Sequence, residues 1–395
     1  MIRFDDALAL VAEAAKPLGT EPASLAEAHG RVLAAPVTAA VSAPPFDASA
    51  MDGYAVRDAD LAELPARLKV AGEAFAGASP GMTLPPGRCM RVFTGAPVPA
   101  GADRVVMQED VVRDGAVAIF AGPPGTARHI RRAKSDFAAG DVLLDAGRLI
   151  DARAVVAAAG ADVAALGVYR RPRVIILGTG DELAEPGSAR VIPGAIPESV
   201  SYGIAALARE WGAEVVARRR LKDELEAMEA EAARALDEAD LVVVTGGASV
   251  GERDFAKAMF APSGLDLIFD KVAIKPGKPV WLGREQGRLV MGLPGNPTSV
   301  LVTARLLLAP LLACLTGRAP GEALLWDKLP LAAGLVACGP RGTFVRARRA
   351  GGQAEPLANQ DSSAQRALAE ADLLIRRRRG APAAEAGELV EVIDF

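Results

Sequence analysis

The sequence predicts a multidomain chain that joins an α/β domain, built on a mostly parallel sheet, to two small β domains and a helical N-terminal lobe. Three observations predict it. Between residues 171 and 318, strand-like runs such as VIILGTG, AEVVARRRL and LVVVTGG alternate with helical stretches, which is the pattern of right-handed βαβ units covered on both faces. From 45 to 140 the apolar runs are short and separated by Gly and Pro, as in an all-β lobe. Past 319 this alternation ends and FVRARRA, ADLLIRRRRG and ELVEVIDF follow, which read as a small β-barrel-like domain. The 395 residues, 51% of them hydrophobic, suffice for several cores, and the 40 Gly and 28 Pro have no period that would mark a fibre.

Taken in order, Ala7, Leu8, Leu10, Val11, Ala14 and Ala15 fall mostly on one face of a helix over 4–16, which Pro17 and Gly19 stop. A second short helix is expected over 24–33. Residues 1–44 and 141–170 form one discontinuous N-terminal lobe, into which the β domain of 45–140 is inserted. The α/β domain of 171–318 contains the helix SYGIAALAREWG, closed by Gly212, and a strongly periodic helix over 223–239. Residues 319–395 form the terminal domain.

Charge and composition exclude several functions. With 45 Lys+Arg against 49 Asp+Glu the net charge is −4, so no global positive field holds a nucleic acid. The N-terminus lacks the basic and apolar regions of a signal peptide, and no apolar run is expected to approach the roughly 20 residues of a membrane span. Cys89, Cys314 and Cys338 are odd in number and far apart, which fits a reducing cytoplasm and neither a disulfide framework nor a zinc site. With His29 and His129 as the only histidines, chemistry must rest on carboxylates, cations and backbone amides.

Two segments place small residues directly after a buried strand: LGTGDEL, with Gly178, Thr179 and Gly180, and VTGGASVGERDF, with Gly246, Gly247, Ser249 and Gly251. Such corners bring phosphate oxygens close to backbone N–H groups on the carboxyl edge of the sheet. Neither matches GxGxxG or GxxxxGK[ST], so a dinucleotide site or Walker loop is unsupported. Each corner also delivers acids, Asp181 and Glu182 after the first, Glu252 and Asp254 after the second. Helix capping explains one of these, not four. Carboxylates beside a phosphate cradle repel the ligand unless a hard divalent cation such as Mg²⁺ bridges them. Lys275 and Lys278 stand in the stiff loop KPGKP, able to share one oxyanion. A third strand-to-helix corner, LPGNPTS, carries Pro294, Gly295, Asn296, Pro297, Thr298 and Ser299. Together these features describe a polyanion pocket.

Weaker signals lie elsewhere. Asp52 in DASAMDGYAV and Thr94 in FTGAPVP sit in ordinary turn formers. Arg128, His129, Arg131, Arg132 and Lys134 form a basic cluster that reads as a solvated face, with Asp136 beside it as a partner. The run Arg376 to Arg379 reads as surface, since at strand spacing two side chains point each way.

The six segments DASAMDGYAV, FTGAPVP, GTGDEL, TGGASVGERDF, AIKPGKP and GLPGNPTS occur in an order and spacing that resemble the MoeA-type molybdopterin molybdenumtransferases, and the chain is similar also to the E domain of gephyrin. The resemblance implies a molybdopterin-binding fold in the α/β lobe and an elongated homodimer in which the first lobes of one subunit close the site of the other. It implies that adenylylated molybdopterin and molybdate give molybdenum cofactor and AMP with Mg²⁺ assisting, and dealings with a molybdopterin adenylyltransferase and with molybdoenzymes or their chaperones. Carried onto this sequence, Asp52, Thr94, Asp136, Glu182, Asp223 and Asp254 match functional positions. Asp181, Glu182 and Asp254 are the metal-binding set, and Lys275, Lys278, Ser299, Arg346 and Ser362 match residues near molybdate. Three departures stand out: Val200 where the family has Asn, Lys134-Ser135 in place of Gly-Glu, and AQRALAEAD after NQDSS. Two alternatives share parts of the pattern, a molybdopterin adenylyltransferase and a molybdopterin carrier without insertase activity.

Overall fold

In the computed structural model, which describes residues 1–246 and 255–395, the runs of Val, Ile and Leu form a six-stranded sheet. Its order is Glu214–Leu221, Arg173–Thr179, Leu241–Thr245, Arg288–Leu293, Trp281–Glu285, Asp266–Phe269. The first four strands are parallel and the last two are added antiparallel. Val174 to Leu177 and Leu241 to Val244 are fully buried, because helices cover both faces. Chain order reverses beside Arg173–Thr179, which has Glu214–Leu221 on one side and Leu241–Thr245 on the other. Open sheets bind their ligands at such a switch point.

One helix, Pro297–Leu315, is by length and composition apolar enough to cross a membrane, contrary to the expectation that no such run exists; 89% of it is buried inside the protein. Its apolar surface is therefore spent on the core. A widened turn over Ala304–Leu308 precedes Pro310, whose missing N–H a regular helix cannot accommodate. Helix Phe4–Ala14 also packs here, with Phe4, Ala7 and Val11 in the same cluster as Leu311 and Leu312, although its sequence position groups it with the N-terminal lobe.

That lobe is less helical than expected. Residues 24–33 form no helix: Thr20–Ser24 is a strand antiparallel to Ala165–Tyr169, and Val32 and Leu33 bridge Leu149 and Val168. A stretch of ten residues is too short to hold a helix by itself, and pairing buries Ala28 and Leu33 fully. The inserted lobe is a six-stranded sheet running Arg104–Met107, Gly53–Val56, Arg88–Val92, Ala66–Ala74, Val117–Phe120, Val111–Asp114. In the terminal lobe, Gly342–Ala350, Leu373–Arg377, Leu389–Asp394 and Asp327–Pro330 pair in turn, and the bridge from Leu331 to Ala354 closes the ring through Gln353–Pro356.

The reading of Arg376 to Arg379 as surface holds for only half the run. Arg377 is 7% exposed, and Arg376 lies over the rings of Phe4 and Trp326 while pairing with Asp5. Their strand is central in the barrel sheet and covered on both faces. The expected pairing of Asp136 with the basic cluster is also replaced: Arg132 pairs with Asp47 and Arg128 with Asp58, while Asp136 is exposed.

The N-terminal and α/β lobes are joined at Asp240, which is 7% exposed. Arg170 donates two bonds to it, at 2.9 and 3.0 Å, Arg288 a third at 3.1 Å and the Arg173 amide a fourth at 2.9 Å. Burial pushes the Asp240 carboxyl up, but these donors outweigh it and hold the group below its ordinary range. Asp240→Ala should cost about 3–5 kcal/mol, because two guanidiniums lose their carboxylate. As the folded carboxyl is depressed, its contribution is complete above the ordinary aspartate range near pH 3.9 and fades as pH falls through it. The gap between wild type and variant in denaturant unfolding should therefore begin to close as pH falls below about 4; a gap that stays constant down to pH 3 would remove the ion pairs from the account.

Candidate functional site

Three strand-to-helix corners meet at the switch point. The Thr179 hydroxyl donates to the Thr245 carbonyl at 3.3 Å, tying the ends of two neighbouring strands. Gly246 has φ +87°, and a Cβ there would stand 2.6 Å from the Thr179 carbonyl oxygen. Only glycine fits. A Cβ on Gly295 would meet the Gly246 Cα at 3.4 Å, so the third corner packs on the second. Gly178 is buried against Thr245, and Pro294 is buried behind Gly295. Gly247, Ser249, Gly251, Glu252 and Asp254 lie outside the described residues.

Around the first corner stand the acids. The Glu182 carboxylate folds back over Gly180, within 2.8 Å of where a Cβ would be. Asp181 accepts the Asp223 amide at 3.1 Å, so the loop after the first strand and the segment after the second share one corner. These are hard oxygen donors of the type Mg²⁺ prefers. Among the described residues, however, no group of three or more His, Cys, Asp or Glu is placed to hold a metal ion.

The third corner opens the helix Pro297–Leu315, with Pro297 at its first position. The Asn296 side chain reaches out to Ser362 Oγ at 3.0 Å instead of capping its own helix. Thr298 donates its amide to the Ser362 carbonyl at 3.0 Å, so one of the amides expected to be free is already taken. Arg346 arrives from the terminal barrel and is fully buried. Its Nη1 donates to Thr298 Oγ1 at 2.9 Å and to the Asp361 carbonyl at 2.8 Å, and its buried Nη2 has no acceptor among the described residues. Burial holds the guanidinium pKa below its ordinary value, partly offset by Asp361. Gln360, which sequence reasoning missed, braces Arg346 by accepting its amide at 3.0 Å and donating to its carbonyl at 2.9 Å. Gln365, also missed, donates to Ser199 at 3.2 Å beside Val200. A lone Gln in a polar loop carries no signal of such contacts.

The lysine loop leans on the same helix. A Cβ on Gly277 would strike Thr303 Cγ2 at 2.2 Å and lie 3.6 Å from the Ser299 carbonyl; this close approach sets the loop against the helix's first turns. Lys275 and Lys278 are exposed, and Ser299 is buried.

In the inserted lobe, the two weak turn motifs prove to be one structure. Thr94 donates both its amide and its hydroxyl to Asp52 Oδ1, each at 2.8 Å, and these bonds, the amide first, hold the Asp52 carboxyl below its usual range. Buried Ser49 and Gly95 join the two loops through their backbones. Asp136 lies on the turn that follows Arg132, tied by its amide to Ala43. Among the described residues no hydrogen bond or ion pair links Asp52, Thr94 or Asp136 to the sheet's carboxyl edge.

Residues 2–161 match the MoeA N-terminal region (domain I and II), residues 175–313 the probable molybdopterin binding domain, and residues 328–395 the MoeA C-terminal region (domain IV). The chain is 36% identical over 333 residues to a molybdopterin molybdenumtransferase of Nostoc sp., covering 82% of this chain and 76% of that protein. It is 32% identical over 409 residues to the Bacillus subtilis protein of the same name, covering 99% and 94%. The crystal structure of a molybdopterin biosynthesis MoeA protein from Pyrococcus horikoshii superposes with a TM-score of 0.86 at 28% identity, over 99% of this chain and 98% of that one.

The corner geometry separates two glycines that look alike in sequence. Gly246→Ala should lose about 1–3 kcal/mol from its left-handed backbone alone, with the clash against the immovable Thr179 carbonyl added. Gly295→Ala, whose Cβ meets only ordinary contact, should cost less. Thermal unfolding of the two variants checks the order, and equal losses would show that the corner relaxes freely.

Proposed function

The chain belongs to the MoeA family, and from that premise we propose that it inserts molybdenum, converting adenylylated molybdopterin and molybdate to molybdenum cofactor and AMP. The observation that carries this reading is Arg346. A fully buried guanidinium with an unused N–H stands where a helix begins, and leaving such a donor without an acceptor costs about 1–3 kcal/mol. A tetrahedral oxyanion supplies the acceptor. Ser362, Ser299 and the lysine pair complete its surroundings, with Lys275 and Lys278 drawing molybdate from solvent.

The three Gly corners present backbone amides to the phosphates of the adenylylated pterin. Asp181 and Glu182, joined by Asp254 from the sequence, would hold Mg²⁺, which when bound supplies Lewis-acid polarisation of the phosphoanhydride. Glu182, folded over Gly180, keeps phosphate from that turn until its charge is matched. Asp52, Thr94 and Asp136 act from the inserted lobe. Since among the described residues no bond ties them to the sheet edge of their own chain, we place them in the site of a second copy, making the working unit a homodimer. An adenylyltransferase is then the supplier of the substrate, and molybdoenzymes or their chaperones the recipients.

The test is AMP release from purified adenylylated molybdopterin. Release that needs both molybdate and Mg²⁺ is the expected result; tight binding without turnover would identify a carrier instead. Lys278→Ala should raise the KM for molybdate about tenfold or more while kcat changes less. At molybdate well below the raised KM, where each variant alone turns over little, mixing Asp52→Asn with Lys278→Ala after subunit exchange should restore roughly a quarter of wild-type activity, because half the dimers are mixed and each has one intact site. No recovery would place both residues in the site of one chain.

A further inference from the structure

Beside the turn of Asp52 and Thr94, the inserted lobe presents a flat aromatic face that its own core does not cover. The strands Ala66–Ala74 and Arg88–Val92 run parallel and pair Glu73 with Arg91 and Ala74 with Val92, so the residues that follow them, Phe75 and Phe93, stand side by side. Their rings stack, with centroids 4.6 Å apart and planes inclined by 10°. Phe93 donates its amide to the Ala74 carbonyl at 3.1 Å, and the Ala78 amide closes a turn on the Phe75 carbonyl at 3.1 Å. Phe75 is nonetheless 52% exposed: Phe93 covers one face of its ring, and the other meets solvent. The Arg91 guanidinium lies 5.0 Å from the ring centroids of both Phe93 and buried Tyr54, and donates to Gln108. A Cβ on Gly95 would stand 3.5 Å from the Ala76 Cβ, which sets the segment of Phe75 against the turn that holds Thr94. After the Thr94 amide and hydroxyl, the Arg91 charge helps hold the Asp52 carboxyl low, so that acid stands at the same end of the sheet.

An exposed phenyl ring is unfavourable in water, and one already fixed by a stack and a hydrogen-bonded turn loses little freedom when a second ring is laid on it. The polar groups beside it choose that ring. Asp52 spends Oδ1 on both Thr94 donors, and among the described residues no donor reaches its Oδ2. A carboxylate only accepts, so it favours a ligand edge that leads with N–H groups. Arg91, with one nitrogen on Gln108, keeps donors for a carbonyl oxygen. A 2-amino-4-oxopyrimidine ring carries two neighbouring N–H groups with a carbonyl next to them. Adenine offers an amino group beside a ring-nitrogen acceptor and has no carbonyl. We propose that Phe75, backed by Phe93, is the stacking platform for the pterin ring of the substrate, with Asp52 and Arg91 reading the ring's edge. This rests on the reading that the chain takes adenylylated molybdopterin, and deepens it: the inserted lobe of one copy holds the pterin while the glycine corners of the other hold the phosphates.

Equilibrium dialysis of the full chain against 6-hydroxymethylpterin, and separately against AMP, tests the proposal. Phe75→Ala should weaken pterin binding about fivefold or more. Phe75→Leu should weaken it too, since it keeps apolar bulk without a π face, whereas Phe75→Trp should bind at least as well as wild type. AMP binding and the far-ultraviolet circular dichroism should not change in any of the three variants. With adenylylated molybdopterin as substrate, Phe75→Ala should raise the KM for that substrate and leave the KM for molybdate unmoved. Unchanged pterin affinity in Phe75→Ala and Phe75→Leu would overturn the proposal, as would a wild type that binds no pterin. A loss confined to AMP would also overturn it, by putting the adenine on the platform. The insertion reading fails separately: Phe75-dependent pterin binding without AMP release would sink insertion and leave the platform standing.

Discussion

The site depends on a backbone packed so closely at Gly246 that no side chain can stand there. A chain turning off one buried strand passes 2.6 Å, measured from a would-be Cβ, from the carbonyl of the neighbouring strand. That approach lets the corner after Leu241–Thr245 sit beside the corner after Arg173–Thr179, and Gly295 then packs on the former. In a parallel sheet all strands end their carboxyl groups on one edge, so three such corners point their amides the same way. The proposed phosphate site rests on strand order and on glycines that keep side chains out.

A second constraint works across lobes. Arg346 is buried at a junction where the barrel contributes the guanidinium and the α/β lobe contributes Thr298 and the helix start. Buried polar networks gain specificity only when satisfied, and Gln360 satisfies the arginine backbone while Asp361 and Thr298 take one of its terminal nitrogens. The barrel is thus not an appendage: it reaches into the preceding lobe through Arg346, and the Ser362 carbonyl fixes the helix start from the same side.

Much of this was legible in the sequence because it rests on local rules. Buried parallel strands show as unbroken Val, Ile and Leu runs, and Gly after such a run marks a corner, so the α/β lobe and its three corners could be read directly. The pairing of Asp52 with Thr94 was not readable from turn residues alone, since Asp-Gly and Gly-Ala-Pro form turns whether or not they meet. Where the reading failed, long-range contacts had overruled local pattern. Residues 24–33 have helical spacing but pair with strands far along the chain. Arg377 has the look of a surface arginine, yet its strand is covered on both faces. Asp136 sits beside arginines in sequence, but Asp47 reaches Arg132 first.

The charges follow the same logic of separation. A chain of net charge −4 cannot attract anions as a whole, so an anion must be drawn by cations concentrated in one place and freed of their partners. The structure does this by spending carboxylates on most arginines: Asp240 takes Arg170 and Arg288, Glu355 takes Arg348, Asp47 takes Arg132. Among the described residues, the cations left without a carboxylate partner include Lys275 and Lys278 at the loop and Arg346 beside the helix start. Screening at physiological salt acts over about 8 Å, so solvent-exposed lysines reach only ions already near the loop, while the buried Arg346 keeps its pull undiminished by salt. On the proposed reading, capture would fall to the exposed pair of lysines and retention to the buried Arg346, a division that suits a small, strongly hydrated oxyanion.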